Sequence, residues 1–224
     1  MAFTMAHLII SQKISKIFDS HIKNLPQFYL GTIAPDAVHN RANYISEYKK
    51  ASHLIAGPEQ WGFTTDNDGW LNNTVALLSK YKLSENHDFV LGYCCHILSD
   101  MYKYKNIWTP FRLKHADELE KGLGNILYQE NNKVDIEMAL TYEDRNEFWR
   151  HLANSNSLDF ADIIYAAEID KQKDNILNSW YKDKERQDIS SNKIVTYERE
   201  MDYVKNATDF VALIFRDNLL KPPV

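Results

Sequence analysis

The feature that most constrains this chain is an apolar run at residues 91–100, LGYCCHILSD, which carries a histidine and an aspartate four residues apart. On an α-helix this spacing places His96 and Asp100 on one face, one above the other. A carboxylate among apolar neighbours is costly to bury unless a positive group pairs with it. A bound metal ion would satisfy both side chains. A buried histidine–aspartate hydrogen bond within a core helix is the alternative.

Gly92 lies one turn before His96, on the same helical face. Because glycine has no side chain, we expect this position to leave space for a cation and its bound water. The run therefore predicts a helix that carries one half of a metal site.

Three further segments place a single histidine or aspartate among small or apolar residues: residues 5–10, 31–36 and 51–54. A polar side chain in such surroundings needs a hydrogen-bonding or ligating role. Nitrogen and oxygen ligands of this kind suit Zn²⁺ or another first-row divalent ion. Five ligands exceed one tetrahedral site with an open position, so a bridging aspartate would allow two ions about 3.5–4 Å apart. The candidate metal ligands are His7, Asp36, His53, His96 and Asp100.

The order of these motifs resembles that of the zinc-dependent phospholipase C family, to which the secreted single-strand-specific zinc nucleases are related. The resemblance covers about residues 5–100 and rests on His7, GTIAPD ending at Asp36, the Ser-His pair ending at His53, and GYCCHILSD. Members of this family are all-helical and use metals to cleave phosphoester bonds. The resemblance implies an all-α, single-domain multi-helix bundle over residues 1–224, with a helical extension at about 145–224.

The resemblance also implies how the ligands divide. Asp36, His53, His96 and Asp100 would form one site, and Asp100 would bridge to a second site that also uses His7. We therefore expect two Zn²⁺ ions, or two ions of another first-row divalent metal.

Fuller members of the family hold a third ion, with a histidine shortly after the helical aspartate. Residues 101–110 contain no histidine, and the nearest remnant is His115 with Glu118. The segment KHADE, residues 114–118, is more simply explained as a charged, solvated helix face. The sequence therefore does not support a third site.

The expected activity is phosphoester hydrolysis, in which water activated by the metal attacks phosphorus. Asp36 is the candidate acceptor of the water's proton, because a bridging role would occupy both oxygens of Asp100. His39 and Arg41 follow closely enough to supply a proton donor and a phosphate clamp, with an ordinary polar loop as the alternative. Two other classes stay open: an intracellular nucleotide or small-molecule phosphohydrolase, and a non-catalytic, metal-stabilised helical protein.

The amino-acid composition limits the classes of partner and substrate that we expect. The chain has 26 basic and 31 acidic residues, a net charge of −5, so it lacks the electrostatic footprint of a duplex nucleic-acid binder. We expect a small-molecule or lipid phosphoester as substrate. No apolar run approaches the roughly 20 residues that span a bilayer, so we expect no transmembrane segment. No signal peptide is visible, and the adjacent Cys94 and Cys95 cannot readily pair with each other, which together predict a cytoplasmic protein.

Apolar residues at helical spacing predict helices over most of the chain. A helix from Pro26 should end by Pro35, which would leave Asp36 on the following turn. The other predicted helices cover residues 6–22, 70–82, 86–104, 113–122, 133–140, 145–152, 158–181 and 196–219.

Overall fold

The structure is a computed structural model that describes residues 3–59 and 62–219, and in that part of the chain it contains helices and no β-strand. The all-α prediction is confirmed. The helices are α1 (Thr4–Ile17), α2 (Leu25–Ala37), α3 (Ser46–Ser52), α4 (Asn67–Lys80), α5 (His87–Lys103), α6 (Thr109–Lys114), α7 (Ala116–Glu118), α8 (Gly124–Thr141), α9 (Arg145–Ala153), α10 (Ala166–Asn175) and α11 (Tyr197–Leu219). A 3₁₀ turn covers Val38–Asn40, and π-helical turns cover Tyr104–Trp108, Leu119–Leu123 and Ile176–Trp180.

Helices α2 and α5 cross at the centre of the molecule, and their backbones touch. A Cβ atom on Gly92 would lie 1.8 Å from the carbonyl oxygen of Phe28, and one on Gly31 would lie 1.9 Å from that of Phe89. The two glycines therefore permit the close crossing. The expectation that Gly92 leaves space for a cation is wrong, because the backbone of α2 occupies that space.

The remaining helices pack around this pair. Helix α1 lies against α2, α5 and α11, and α4 lies against α5. From the second half of the chain, α9 and α10 contact α2, and α11 contacts α5. The helices after residue 145 thus share the core with the segments that carry the candidate ligands. None of the helices in the described part has both the length and the apolar character of a membrane-spanning segment.

Asp36 lies inside a helix and not on the turn that the sequence predicted. Helix α2 continues through Pro35 to Ala37. Proline removes only one N–H donor, the one that would bond the carbonyl of Gly31, and burial of α2 from Phe28 to Pro35 outweighs that loss. As a result Thr32 and Asp36 lie one turn apart on the same face.

The helix predicted for residues 158–181 begins only at Ala166. Ala161 and Asp162 have φ angles of 54° and 55°, in the left-handed region that interrupts a right-handed helix. The helices predicted at 86–104 and 196–219 are confirmed as α5 and α11, with ends shifted by a few residues at most.

Replacing Gly92 by alanine should destabilise the protein strongly, because the new methyl group meets backbone atoms of α2 that cannot move aside. We expect a loss of about 3 kcal/mol or more in the free energy of unfolding. Gly124→Ala is the matched control, since no atom lies within 4 Å of its Cβ position and the residue is helical. That variant should be equal to or more stable than the native protein by up to about 1 kcal/mol. Equal urea midpoints for the two variants would contradict the crossing described here.

Candidate metal centre

The five predicted ligands converge on one buried point between α1, α2 and α5. The Nε2 atom of His53 lies 3.5 Å from Oδ1 of Asp36 and 3.6 Å from Oδ2 of Asp100. The Nε2 atom of His96 lies 3.9 Å from the Oδ2 atoms of both aspartates. The Nε2 atom of His7 lies 3.5 Å from Oδ1 of Asp100. Asp36 is 21% exposed, whereas the other four side chains are at most 3% exposed.

His96 is oriented by the crossing of α2 and α5. Its Nδ1 lies 2.8 Å from the carbonyl oxygen of Thr32. A carbonyl can only accept, so Nδ1 carries the proton and Nε2 presents its lone pair to the cluster. The hydrogen bond therefore fixes both the tautomer and the direction of the ring.

Ser99 fixes the tautomer of His7 in the same way. The Ser99 hydroxyl donates to the carbonyl oxygen of His96 at 2.7 Å and lies 2.8 Å from Nδ1 of His7. Because its only proton is used on His96, the hydroxyl accepts from Nδ1 of His7. The Nε2 atom of His7 is left with its lone pair, is buried, and makes no hydrogen bond to any residue in the described ranges.

At the end of α3, hydrogen bonds fix the tautomer of His53 as well. Its Nδ1 lies 2.9 Å from the Ser52 hydroxyl and 3.1 Å from the carbonyl oxygen of Lys49. Because the Ser52 hydroxyl donates its proton to that same carbonyl, Nδ1 carries a proton and Nε2 also presents a lone pair. Two hydrogen bonds fix the backbone at the end of α3: the Trp70 indole donates to the His53 carbonyl at 2.7 Å, and the Tyr93 hydroxyl donates to the Ser52 carbonyl. The backbone that carries His53 is thus tied to α4 and α5.

Three imidazole lone pairs and two carboxylates therefore face one another. The Nε2 atoms of His53 and His96 are only 3.3 Å apart, and the rings of His7 and His96 stack with centroids 3.7 Å apart. Acceptor groups at such distances repel in a low-dielectric interior unless a cation lies among them. Two overlapping groups could each hold an ion: His7, His96 and Asp100, and Asp36, His53 and His96.

Asp100 has the geometry of a bridging ligand. Its Oδ1 faces His7, and its Oδ2 faces His53 and His96. The two oxygens of one carboxylate thus address two sets of histidine nitrogens. The Oδ2 side, completed by Asp36, offers four ligand residues, while on the Oδ1 side His7 groups with Asp100 and with His96, which belongs to both sets.

The electrostatics keep both carboxylates ionised. Burial alone would raise their pKa values. The Lys49 ammonium and the histidines outweigh burial at Asp36 and hold the pKa of its carboxyl well below the ordinary value. At Asp100 the pKa is held well below the ordinary value by a neighbouring positive charge, that of His7 when this ring is protonated, and a bound cation would take the same place. Ionised carboxylates are the form that a metal ion binds.

The same environment keeps two of the imidazoles neutral. Burial, and then the charge of Lys49, lowers the pKa of His53. Burial, and then His7, lowers the pKa of His96 well below its ordinary value. Neutral imidazole is the ligating form.

The adjacent cysteines do not join this set. Both are free and buried on α5, and burial raises the pKa of the Cys95 thiol to about 12. The thiols are therefore protonated at neutral pH, and neither belongs to a metal-ligating group among the described residues.

Lys49 is the residue that the sequence analysis missed. Its side chain is 1% exposed, and its Nζ lies 2.5 Å from Oδ1 of Asp36 and 3.2 Å from Nε2 of His39. It lies in a polar segment of α3, one turn before His53. In such a segment a lysine is expected to be solvated. The ammonium leaves Oδ2 of Asp36 directed at His96.

His39 and Arg41 lie close to the cluster but have other partners. The Nε2 atom of His39 accepts from Lys49, and burial together with that ammonium lowers the pKa of His39 to about 4, so the ring is neutral at neutral pH. The Arg41 guanidinium pairs with Glu168 and donates to the carbonyl of Ile163 at 2.7 Å. In this arrangement Arg41 ties the start of α10 to the turn after α2.

The structure does not bring His115 and Glu118 to the five ligands. They face each other at 3.4 Å at the junction of α6 and α7, and the His115 ring stacks on Phe111. Glu118 is more than half exposed. Neither residue takes part in either metal-ligating group in the described part of the chain.

A cavity of about 1420 Å³ reaches the cluster from one side. Asp36 and His39 line one part of it, and much of the rest is apolar, with Trp108, Phe111 and Trp180 among its walls. Pockets for drug-sized ligands measure roughly 300–1000 Å³, so this cavity could admit a larger molecule. The most exposed of the five ligands is thus the one that faces open space.

Comparison with known proteins returned no relative: no family model, no curated protein and no solved structure matches this chain.

Asp100→Asn should deplete the metal content of the purified protein. Native protein should hold close to two first-row ions per chain, and loss of a bridging carboxylate should release both. Asp135→Asn is the matched control, because Asp135 is also a buried carboxylate near α1 but is occupied by the Met5 amide and the Tyr181 hydroxyl. Elemental analysis checks this result, and retention of both ions by the Asp100 variant would remove the bridging assignment.

The metal-free protein should lose stability as the pH falls below about 6.5. Because the pKa of His96 is lower in the folded protein than in the unfolded chain, the unfolded chain binds the proton first and acid favours unfolding. One such group contributes a slope of at most about 1.4 kcal/mol per pH unit.

His96→Asn isolates this contribution, since asparagine keeps a donor for the Thr32 carbonyl but does not titrate. Urea unfolding of the chelator-treated proteins between pH 7.5 and 5.5 should give a shallower slope for the variant. Equal slopes would show that His96 does not titrate as the structure requires.

Proposed function

We propose that this protein is a metal-dependent phosphoester hydrolase whose metal ions, Zn²⁺ in the first instance, are held by His7, Asp36, His53, His96 and Asp100. The observation that carries the proposal is the convergence of three Nε2 lone pairs and two ionised carboxylates at one buried point. The order of the motifs, which resembles that of the zinc-dependent phospholipase C family, supports the same activity.

A divalent ion held by these five residues would lower the pKa of water toward 7 and would neutralise phosphate oxygens. The chain's own groups supply orientation. Thr32, Ser99 and the Lys49 carbonyl fix the three imidazoles. Outer partners of this kind fix ligand geometry and tautomer.

Asp36 is the group proposed to accept the proton of the attacking water. It is the ligand that borders the cavity, and only one of its oxygens, Oδ1, bonds to Lys49. With its pKa held low, Asp36 is a weak base by itself, so it would act as a transient acceptor and orient the water by hydrogen bonding.

The cavity favours a catalytic over a purely structural metal site. A structural site closes its coordination with protein ligands, whereas a catalytic one leaves a position for water and substrate. Here the Asp36 side of the cluster borders about 1420 Å³ of accessible space. That volume supports an ester larger than a simple monophosphate as the substrate.

Asp36→Asn and His96→Ala should each reduce turnover of a phosphodiester or phosphomonoester by orders of magnitude, because each removes a ligand of the four-residue site. His115→Ala should change turnover little, although His115 lines the same cavity. A panel of phosphate esters, assayed with added Zn²⁺ and with a chelator, provides the measurement.

Two results would contradict the proposal. If no ester is cleaved under any metal supplementation, a non-catalytic metal protein becomes the better explanation. If His115→Ala abolishes turnover or releases a metal, a site that includes His115 must replace the two-ion arrangement.

A further inference from the structure

The charged residues on the cavity wall are unequally paired. Every carboxylate there is engaged: Asp36 by Lys49, Glu200 by Lys103, Glu118 by His115, and Asp135 by the Met5 amide and the Tyr181 hydroxyl. Four other cations line the same cavity, and none lies within 4.0 Å of a carboxylate oxygen of a described residue: Lys114, Lys184, Lys193 and Arg199. With Lys103 the wall carries five cations against four carboxylates, the reverse of the balance in a chain of net charge −5.

Three of these cations lie within 16 residues of one another, on the loop before α11 and its first turn: Lys184, Lys193 and Arg199. Part of that loop is firmly held. The buried carboxylate of Glu130 accepts three successive backbone N–H groups, those of Lys193, Ile194 and Val195, at 2.8–3.0 Å.

Arg199 adds to this support. Its Nη1 atom donates to the carbonyl oxygens of Lys193 and Ile194 at 3.2 and 2.8 Å. The guanidinium has five N–H donors, so donors remain for a ligand. Around Lys193 and Arg199 the positive groups are therefore presented by an ordered backbone.

We propose that the ester cleaved at the metal centre carries a second phosphate group, and that Lys184, Lys193 and Arg199 bind this second phosphate. This inference rests on the proposed function for the position of the first phosphate. A phosphate monoester carries about −1.5 to −2 charges at neutral pH. Three cations match this charge better than they would match the single charge of a carboxylate ligand. The apolar and aromatic remainder of the wall, with Trp108, Tyr128 and Trp180, suits an apolar or aromatic body between the two phosphates.

Substrate pairs that differ by one phosphate test the proposal. One pair is the 4-nitrophenyl ester of thymidine 5′-phosphate with and without a 3′-phosphate. The other is dihexanoyl phosphatidylinositol with and without a 4-phosphate. In at least one pair the second phosphate should raise kcat/KM by about tenfold or more, as expected for new charged hydrogen bonds. The pair with the larger ratio identifies whether a nucleoside or a lipid forms the body.

The variant K184S/K193S should bring that ratio close to one while it leaves cleavage of the one-phosphate substrate unchanged. K23S/K171S is the matched control, because it removes the same charge from two exposed lysines that do not line the cavity, and it should keep the ratio. Arg199 is left intact because it supports the loop.

A binding measurement separates this proposal from the proposed function. Calorimetry of the chelator-treated protein with thymidine 3′,5′-bisphosphate should show binding that K184S/K193S weakens by about tenfold and K23S/K171S does not. If one-phosphate esters are cleaved but the ratio is one in both native pairs, the second-phosphate site is overturned and the hydrolase stands. If nothing is cleaved but the lysine-dependent binding persists, the hydrolase fails and the phosphate site stands. Binding that is equal in all three proteins overturns the phosphate site directly.

Discussion

The contact on which the rest of the structure depends is the crossing of α2 and α5 at Gly31 and Gly92. Each glycine touches the backbone of the opposite helix, so no larger residue fits at either position. This close approach brings the Thr32 carbonyl to within hydrogen-bonding distance of His96. One turn further along each helix it brings Asp36 and Asp100 to the same point. A packing constraint between two helices thus determines the geometry of the candidate metal centre.

The chemistry of the cluster follows from how the outer nitrogens of its histidines are used. Each Nδ1 proton is committed to an acceptor within the protein, supplied by Thr32, Ser99 or Lys49. Three lone pairs must then converge on two ionised carboxylates, an arrangement that stores electrostatic repulsion unless a cation is present. The Lys49 ammonium offsets part of this repulsion at Asp36, and the divalent ion that we propose would offset the rest.

The five residues of the cluster could be identified from the sequence because each is a histidine or aspartate in a segment of mostly small or apolar residues, and the structure brings them together. The all-α class followed in the same way from apolar spacing. The roles of Gly92 and Lys49 could not be predicted, because both depend on partners distant in sequence, Phe28 for the glycine and Asp36 for the lysine. The helix predicted from residue 158 failed because two left-handed residues, Ala161 and Asp162, interrupt a segment whose composition is helical. The paired carboxylates and unpaired cations of the cavity are likewise a property of the folded chain alone.

X-ray absorption at the zinc edge of the zinc-loaded protein tests the central claim most directly, because it reports the atoms bound to the ion. We expect a shell of nitrogen and oxygen atoms at about 2.0–2.1 Å, with the outer-shell signal of imidazole rings. A sulfur shell at about 2.3 Å would instead implicate Cys94 or Cys95, and a shell without imidazole would place the zinc outside the cluster. Either result would contradict a metal centre built from His7, His53 and His96.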